Sequence, residues 1–459
     1  MADANAQFPV LSAEVMPASL DPNLPNQPAD SRAIWLWSGL ALLPVNVAPS
    51  LLLMVWGIGQ WLRMRWRRLT SPMSWNPLHQ LSAVVVVGIL AVTWAGETLS
   101  LSLPGSFNYW PFVGVMVACR QPLACPQMRL RVVRALLGGG ILIAVLGLGQ
   151  ALGGWHYRLG WDPLVIALEQ LDHRDRPTAL FLSPNTLAVY LVMLQAVAVG
   201  LLVAIRQRPA FDSAFAPRYS SWDPRLAISF LVLSLPLVGL TASRNGWGIA
   251  WAGLVIGLVG FHRWRWLAGL LGLTALPVGA AVGILGLRQV IPSLFWQRLA
   301  DTLDPQATYF SSTANRVDGW QFALDMMMQR PWTGWGWQSF QDLYNAQIPA
   351  PPEWLTHPHN LYLMVGAEGG ILVLAGLLAL WGILLGKGWR QAAGDPLTFG
   401  VVLALSCYFL SGLLDVVALD ARVNILVWVL LSWCGSRPLR AAEPSRPHSE
   451  SPGENLAQT

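Results

Sequence analysis

The chain has 459 residues, of which 54% are hydrophobic and only 12% are charged, and its mean hydropathy is +0.46. A soluble domain carries about twice that charged fraction, so composition excludes a water-soluble globular protein. The net charge of +5 does not indicate nucleic-acid binding, because the arginines fall in short loops between apolar runs of membrane-spanning length. The runs are continuous rather than alternating, which argues against an outer-membrane barrel. We therefore predict an all-α polytopic membrane protein.

The chain begins with a polar, proline-containing tail at residues 1–33, which lacks the basic segment and apolar core of a signal peptide and is predicted to be disordered. The first apolar run, 34–62, contains Pro44, Asn46 and Pro49 and predicts either one bent helix or two short ones. Further helices are predicted at 80–99, 107–119, 132–152, 185–205, 226–241, 244–261, 265–287, 359–386, 398–415 and 422–436. The total is about 11–12 transmembrane helices.

These predictions divide the chain into N-terminal transmembrane helices (34–287), a large loop with short helices (288–358), C-terminal transmembrane helices (359–436) and a second disordered tail (437–459). When the helices alternate across the membrane, every strong arginine cluster falls on one side, which the positive-inside rule assigns to the cytoplasm. This predicts an inner (plasma) membrane protein. Its other, periplasmic side receives the loop at 153–184, the turn at Ser243-Arg244 and the loop at 288–358.

Tryptophan and cysteine usage fits this assignment. Most of the 25 tryptophans flank the apolar runs, as an interfacial belt requires. The four cysteines have no metal-site spacing and are interpreted as free thiols.

The long outer loop has helical signals of its own. Ser311, Ser312 and Thr313 offer N-caps, and Pro331 ends the helix that follows. The residues that recur at helical spacing, and that we expect on one apolar face, are Val317, Trp320, Leu324, Met327 and Met328. A turn at Thr333-Gly334-Trp335-Gly336 then precedes a second short helix at about 338–346. The sequence predicts a small helical cap over the outer mouth.

Three arginines and one histidine are predicted on the outer side: Arg176, Arg244, Arg316 and His359. Arginine binds phosphate in a bidentate way, so this group suggests a polyanionic ligand such as a lipid-linked pyrophosphate. Each arginine also has a simpler interpretation. Arg176 (or its neighbour Arg174) could pair with Asp172 and Asp175, Arg244 could reach lipid headgroups, and Arg316 could be solvated. Their common side favours a binding site.

His359 suits a general base because an imidazole titrates near neutral pH, and His357 is the rival for that role. Glu368 lies deeper on the opposite helical face and is expected to pair with Arg244 or another helix. The glycines expected to allow close helix approach nearby are Gly366, Gly369, Gly370 and Gly376. The chain carries no HExxH sequence, aspartate-rich cluster or Walker-type glycine loop, so we predict no metal and no cofactor.

Several motifs together resemble the O-antigen ligase and polymerase superfamily over about residues 150–435. They are Ser183-Pro184-Asn185, Thr241-Ala242-Ser243-Arg244, Arg316 followed by Pro331-Trp332-Thr333-Gly334-Trp335-Gly336, and His359-Asn360 followed by Glu368-Gly369. The resemblance implies a GT-C-like membrane fold and a metal-independent, inverting glycosyltransferase. Its partners would be a glycan on undecaprenyl pyrophosphate, a lipid or glycan acceptor, and membrane lipids, with no nucleic acid.

The resemblance also implies roles for individual residues. Arg176 and Arg244 would contact the pyrophosphate, with Arg316 as a further anion contact. His359 would act on the acceptor hydroxyl, and the supporting residues would be Asn185, Asn360 and Glu368.

Two other functions remain open from the sequence. A polysaccharide repeat-unit polymerase of the same superfamily would share the donor chemistry. A transporter of a small anion such as inorganic carbon is the other alternative. The sequence shows no convincing internal repeat of the kind common in transporters, and the candidate residues gather on one side rather than at the membrane midplane.

Overall fold

A computed structural model describes residues 34–67, 77–159, 166–168, 176–207, 217–272, 311–347 and 355–436. The predicted tails, Arg174 and the whole segment 273–310 lie outside these residues. In the described part the chain is helical, apart from one antiparallel hairpin in the first outer loop. Among the residues that the structure describes, five helices are long and apolar enough to cross a membrane, and three shorter helices are also apolar. The prediction of an all-α polytopic membrane protein is confirmed.

The helices in chain order are α1 (Ile34–Leu42), α2 (Val47–Arg67), α3 (Pro77–Ala95), α4 (Leu99–Ser106), α5 (Trp110–Cys119), α6 (Pro126–Gly153), α7 (Pro184–Arg206), α8 (Trp222–Leu240), α9 (Arg244–Gly260), α10 (Ser311–Gln329), α11 (Ser339–Gln347), α12 (Leu361–Ala392), α13 (Pro396–Ser411) and α14 (Ala421–Gly435). The hairpin pairs β1 (Tyr157–Leu159) with β2 (Ile166–Leu168), and short 3-10 turns lie at Pro122–Ala124 and Val417–Leu419. Residues 264–272 are also helical, and the rest of the helix predicted at 265–287 lies outside the described residues.

The first apolar run forms two helices, which settles the alternative left open by the sequence. Asn46 caps α2, because its Oδ1 accepts the backbone N–H of Ala48 at 2.9 Å. The two helices then pack closely, and Ser50 Oγ donates to the carbonyl of Gly39 at 2.8 Å. The prolines and the asparagine therefore mark a turn rather than a bend within one helix.

The centre of the bundle is a close pair formed by α7 and α13. Their backbones touch at two glycines, since a Cβ added to Gly200 would lie 2.8 Å from the Cα of Gly400. Small residues allow such contact between membrane helices, where dispersion forces and backbone proximity drive association. The pair matters for function because α7 begins, and α13 ends, at the same end of the bundle.

Helix α12 is broken at Gly370, which has φ 75° and ψ 166°. The break frees two carbonyls, and the outer loop supplies their donors: Trp335 N–H bonds to Ala367 O at 3.1 Å and Gly336 N–H to Glu368 O at 2.9 Å. In return Ile371 N–H donates to Pro331 O at 2.8 Å. Backbone groups at membrane depth need partners, so loop and helix break form one unit.

The predicted turn at 333–336 is confirmed, and it depends on its glycines. Gly334 and Gly336 have φ of +63° and +97°. Replacing Gly334 by alanine would place a Cβ 2.3 Å from Glu368 O in addition to the strained φ. We expect a loss of about 1–3 kcal/mol in unfolding free energy, measured as a lower thermal midpoint in detergent. Gly394→Ala is the matched control, because nothing lies within 4 Å of its added Cβ. Equal midpoints for the two variants would contradict the assignment.

Several predicted helix boundaries are wrong: α6 begins at Pro126 rather than at 132, and α12 ends at Ala392 rather than at 386. The chain turns after Ala95 and forms the separate short helix α4 before α5, where the sequence suggested only the end of one helix and the start of another. Helix α13 ends at Ser411, not at 415. The apolar Leu413 and Leu414 prolong the hydropathy run, but they are 48% and 46% exposed and belong to a loop.

The two short helices predicted in this loop are present as α10 and α11, but only part of the predicted apolar face of α10 is covered, with Trp320 and Met327 half-buried. Val317, Leu324 and Met328 are exposed, whereas Ala323 and Met326 are buried against Phe340 and Tyr344 of α11. Gly319 lies against Leu355 and Pro358. The small residues of α10 allow close contact with its neighbours, and this contact, rather than the largest side chains, sets the buried face.

Candidate active site

Three helices begin at one end of the bundle and are joined there by side chains. Ser183 caps α7, Ser243 caps α9 and Asn360 caps α12, each through a side-chain oxygen that accepts backbone N–H groups of the first turn. Helix N-termini carry a partial positive charge and favour anions. The residues beside these caps include Asn185, Arg244 and His359.

Asn185 is the centre of a polar network. Its Oδ1 accepts Ser243 Oγ–H at 2.8 Å and an Nη2 hydrogen of Arg176 at 3.4 Å. Its Nδ2 donates to Asp415 Oδ2 at 2.8 Å. One amide therefore connects the first outer loop, the start of α9 and the loop after α13, segments that are remote in sequence.

Asp415 extends the network to His359. Its Oδ1 lies 3.2 Å from His359 Nδ1, and the side chains of Asp415 and His359 are 8% and 28% exposed. Burial alone would raise the pKa of Asp415, but the hydrogen bond to His359 and the nearby imidazoles outweigh it and hold that pKa well below 3.8. An ionised carboxylate at Nδ1 favours the tautomer with its proton on Nδ1, which leaves the Nε2 lone pair free.

His357 lies beside His359, but its hydrogen bonding differs. The two rings are 4.4 Å apart in a T-shaped arrangement, and the backbone N–H of His359 donates to His357 Nδ1 at 3.2 Å. His357 therefore carries its proton on Nε2. Burial lowers the pKa of His357 to about 4, and the charges of His359 and Arg316 act in the same direction. A neutral His357 with an occupied Nδ1 is poorly suited to be the base.

This shift predicts a pH dependence of stability. The unfolded chain takes up a proton at His357 near pH 6.5 and the folded chain only near 4, so protonation favours unfolding. The stability that His357 contributes is complete above pH 6.5 and is lost as the pH falls toward 4. We expect thermal unfolding midpoints to fall over that range, and less steeply for His357→Gln. His156→Gln, at an exposed position, should match the wild type; an unchanged slope in His357→Gln would contradict the shift.

The structure places two of the predicted arginines around this network. Arg176 Nε donates to Thr241 O at 2.7 Å, so its guanidinium links the start of α7 to the turn before α9. Arg244 is the first residue of α9, directly after Ser243, and is half-buried. The acids that offered the simpler explanation for Arg176 lie outside the described residues.

Arg316 lies on the cap helix α10, close enough to His357 to act on it electrostatically. It is half-buried on α10, and its charge acts on the pKa of His357. Its Nε is buried and has no hydrogen-bond partner among the described residues. A buried guanidinium N–H without an acceptor is costly, and an anionic ligand would satisfy it.

Residues with strained backbone conformations also lie at this site. In the described chain, Ala179, Ala242 and His359 are non-glycine residues with positive φ, of 49°, 49° and 51°. They lie in three of the four segments that build the network, which also includes the loop of Asp415. Strain of this kind persists where surrounding contacts fix a functional geometry.

Of the two partners expected for Glu368, Arg244 or another helix, the structure shows a helix, and it is the cap helix α11 rather than one within the bundle. Glu368 is buried, and its Oε1 accepts the backbone N–H of Phe340 at 3.2 Å, at the start of α11. The carboxyl group therefore fixes the cap to the membrane helix by satisfying amides at a helix N-terminus. It takes no part in the contacts that join Asp415 and His359, in line with its expected position deeper on the opposite helical face.

Most of the nearby glycines make room for the loop and cap segment rather than for another membrane helix. An added Cβ at Gly366 would meet Met327, at Gly369 Trp337, and at Gly370 the carbonyl of Trp332, all in the outer segment. Gly376 alone of the four predicted glycines faces another membrane helix, with Val85 of α3 at 3.1 Å.

Asn360 holds in place the loop that carries Asp415, a residue that the sequence analysis did not single out. Its Oδ1 caps α12, and its Nδ2 donates to Leu413 O at 3.1 Å, while Leu361 N–H donates to Gly412 O at 2.8 Å. These bonds keep the loop after α13, and hence Asp415, beside His359. In the sequence, Gly412 was the feature that could have shown α13 ending before Asp415, because glycine commonly ends helices.

The cluster also bears on the prediction of no metal. Potential ligand atoms of His357, His359 and Asp415 lie within 4.8 Å of one another, a spacing that a metal ion can bridge. No short sequence motif could have predicted this group, because Asp415 is 56 residues from His359. The four cysteines are free in the structure, as predicted, and lie apart from the cluster.

Together these features define a polytopic α-helical membrane protein with a polar site of arginines, a carboxylate and histidines at one end of its bundle. A family model described as O-antigen ligase matches residues 229–378, which include Arg244, Arg316, His359 and Glu368. This match supports the predicted resemblance to the O-antigen ligase superfamily, a family that acts on lipid-linked glycans in general. A comparison with curated proteins returned no match.

Proposed function

We propose that the protein is an O-antigen ligase-like glycosyltransferase of the inner membrane, with its active site facing the periplasm. It would transfer a glycan from a lipid pyrophosphate carrier, such as undecaprenyl pyrophosphate, to a hydroxyl group of a lipid or glycan acceptor. The family match supports this class of activity. The donor, the acceptor and the residue roles below are the proposal.

The continuous set of contacts from Arg176 through Asn185 and Asp415 to His359 carries the proposal. A cation that can bind phosphate and a base that can activate a hydroxyl meet in one network at the N-termini of three helices. A structural ion pair would not need a free imidazole nitrogen, and a lipid-headgroup contact would not need the Asp–His pair. Transfer from a pyrophosphate needs both features.

In the proposed reaction, His359 Nε2 takes the proton of the acceptor hydroxyl. The acceptor oxygen attacks the anomeric carbon from the face opposite the pyrophosphate, so a C–O bond forms while the bond to the leaving oxygen breaks with its electron pair. Arg176, Arg244 and Arg316 stabilise the charge that develops on the pyrophosphate. Asp415 orients the imidazole and stabilises the imidazolium, and the configuration at the anomeric carbon is inverted.

This reaction uses arginines where other transferases use a metal, so it predicts resistance to chelation. Treatment of the purified protein with EDTA, followed by its removal, should leave the rate of transfer within about twofold of the untreated value. The measurement is product formed from a lipid-pyrophosphate glycan in liposomes. A large loss that added Zn²⁺ reverses would show instead that the cluster of His357, His359 and Asp415 works with a bound metal.

The direct test is reconstitution of the full chain with a lipid-pyrophosphate glycan and an acceptor. Stoichiometric release of the carrier pyrophosphate with a glycosylated acceptor supports the proposal; no release with any acceptor tested, by protein that still binds the donor, would refute it. Mass spectrometry of co-purified lipid identifies the donor. Products that grow by repeat units while on the carrier would assign the polymerase alternative.

A further inference from the structure

A cavity lies at the end of the bundle opposite the candidate site. Helices α7, α9 and α12 begin at the site and end at this cavity, where Gln207, Gly260 and Ala392 belong to its lining. Helix α13 runs the other way and begins there at Pro396. The cavity has a volume of about 540 Å³, within the ~300–1,000 Å³ range of small-molecule sites.

The walls of the cavity are aromatic. Phe399 is central to them, with Phe261 at 4.5 Å and Trp389 at 5.7 Å between ring centroids. His262, which has a positive φ of 54°, completes this side. An added Cβ on Gly260 would lie 2.3 Å from the Phe399 ring, so the glycine is needed for the wall.

The rim is cationic. Arg206 precedes the lining residue Gln207, Arg263 follows His262, and Arg390 follows Trp389, and all three arginines are exposed. The nearest acid in sequence, Asp395, caps α13 and pairs with the buried Arg129 at 3.5 Å, so its charge is compensated. The field at the mouth therefore favours an anion.

The surroundings indicate an amphiphilic ligand. Trp264 and Trp266, directly after the rim, are 57% and 72% exposed, as in a membrane-interface belt. Exposed apolar residues lie within two turns of the cavity on the same helices, Leu254 on α9 and Ile383 on α12. An ordinary positive-inside cluster needs the arginines but neither a cavity nor an aromatic wall.

We infer that this cavity binds the phosphate headgroup of an anionic phospholipid, with the acyl chains along α9 and α12. Basic pockets between membrane helices on the cytoplasmic side are suited to such headgroups. The inference is independent of glycan transfer, which we assign to the opposite end of the bundle.

Native mass spectrometry of the full-length protein tests this binding. Phosphatidylglycerol should remain bound where phosphatidylcholine does not, and the double variant Arg263→Ala/Arg390→Ala should weaken retention by roughly 25-fold, about fivefold per arginine. Ala393→Trp, which fills the cavity without changing charge, should also lose the lipid. Arg225→Ala is the matched control, an exposed arginine on α8 outside the cavity, and should retain it.

Four results would overturn the inference. The first is equal retention of the two lipids, and the second is loss in Arg225→Ala as large as in the double variant. The third is wild-type retention by Ala393→Trp, which would mean that charge alone binds the lipid. Displacement of phosphatidylglycerol by inorganic phosphate, beyond that by chloride at equal ionic strength, would also overturn it by showing a site for a free anion.

Discussion

Replacing His359 by alanine is expected to lower the rate of glycan transfer by about 100- to 10,000-fold, the usual contribution of a general base. The variant removes the nitrogen that would accept the acceptor proton but leaves Arg176, Asn185 and Asp415 in place. Donor binding should therefore persist while turnover is lost. The measurements are the rate of product formation and the retention of the lipid-pyrophosphate donor by the purified variant.

A histidine elsewhere on the predicted outer side gives the control. His156 is exposed, and its substitution by alanine should leave transfer unchanged. Partial recovery of the His359→Ala variant by imidazole in the buffer would separate loss of a base from loss of structure. Wild-type transfer by folded His359→Ala protein would refute the assignment of the base.

The fold was largely predictable because hydropathy alone reports membrane helices. The errors fall where tertiary contacts decide local structure. The break at Gly370 lies within a run that reads as one helix, and it exists because the loop at 331–336 supplies donors to the freed carbonyls. The partner of Glu368 was missed for the same reason, since that loop also brings the start of α11 to its carboxylate.

The candidate site was predictable only where its residues lie in recognisable local patterns. His359 and Asn360 precede an apolar run, and Arg244 starts another after a capping serine, so each is visible in the sequence. Asp415 follows two leucines that prolong the run of α13, and it meets Asn185 across 230 residues of chain. Only the packing of α7 against α13 brings these two together, and nothing local encodes that contact.

The variant Asp415→Asn should lower the rate of transfer roughly 100-fold or more, although it changes one atom. Asp415 accepts hydrogen bonds from both Asn185 Nδ2 and His359 Nδ1. An amide has only one acceptor oxygen, so its NH₂ group must face one of these donors. If it faces His359, the imidazole takes the other tautomer and its proton moves to Nε2, where the base is needed. If it faces Asn185, two donors oppose each other and the network opens.

Measurements of kcat and KM separate this effect from simple destabilisation, because a positioning role lowers kcat with little change in KM for the donor. Asp420→Asn is the matched control: Asp420 lies in the same loop, is also buried, and caps α14 without contact to a histidine among its hydrogen-bond partners. Asparagine caps helices as well as aspartate does, so transfer should persist. If both variants lose kcat equally, Asp415 acts by holding the loop; if neither does, His359 does not need a carboxylate to select its reactive nitrogen.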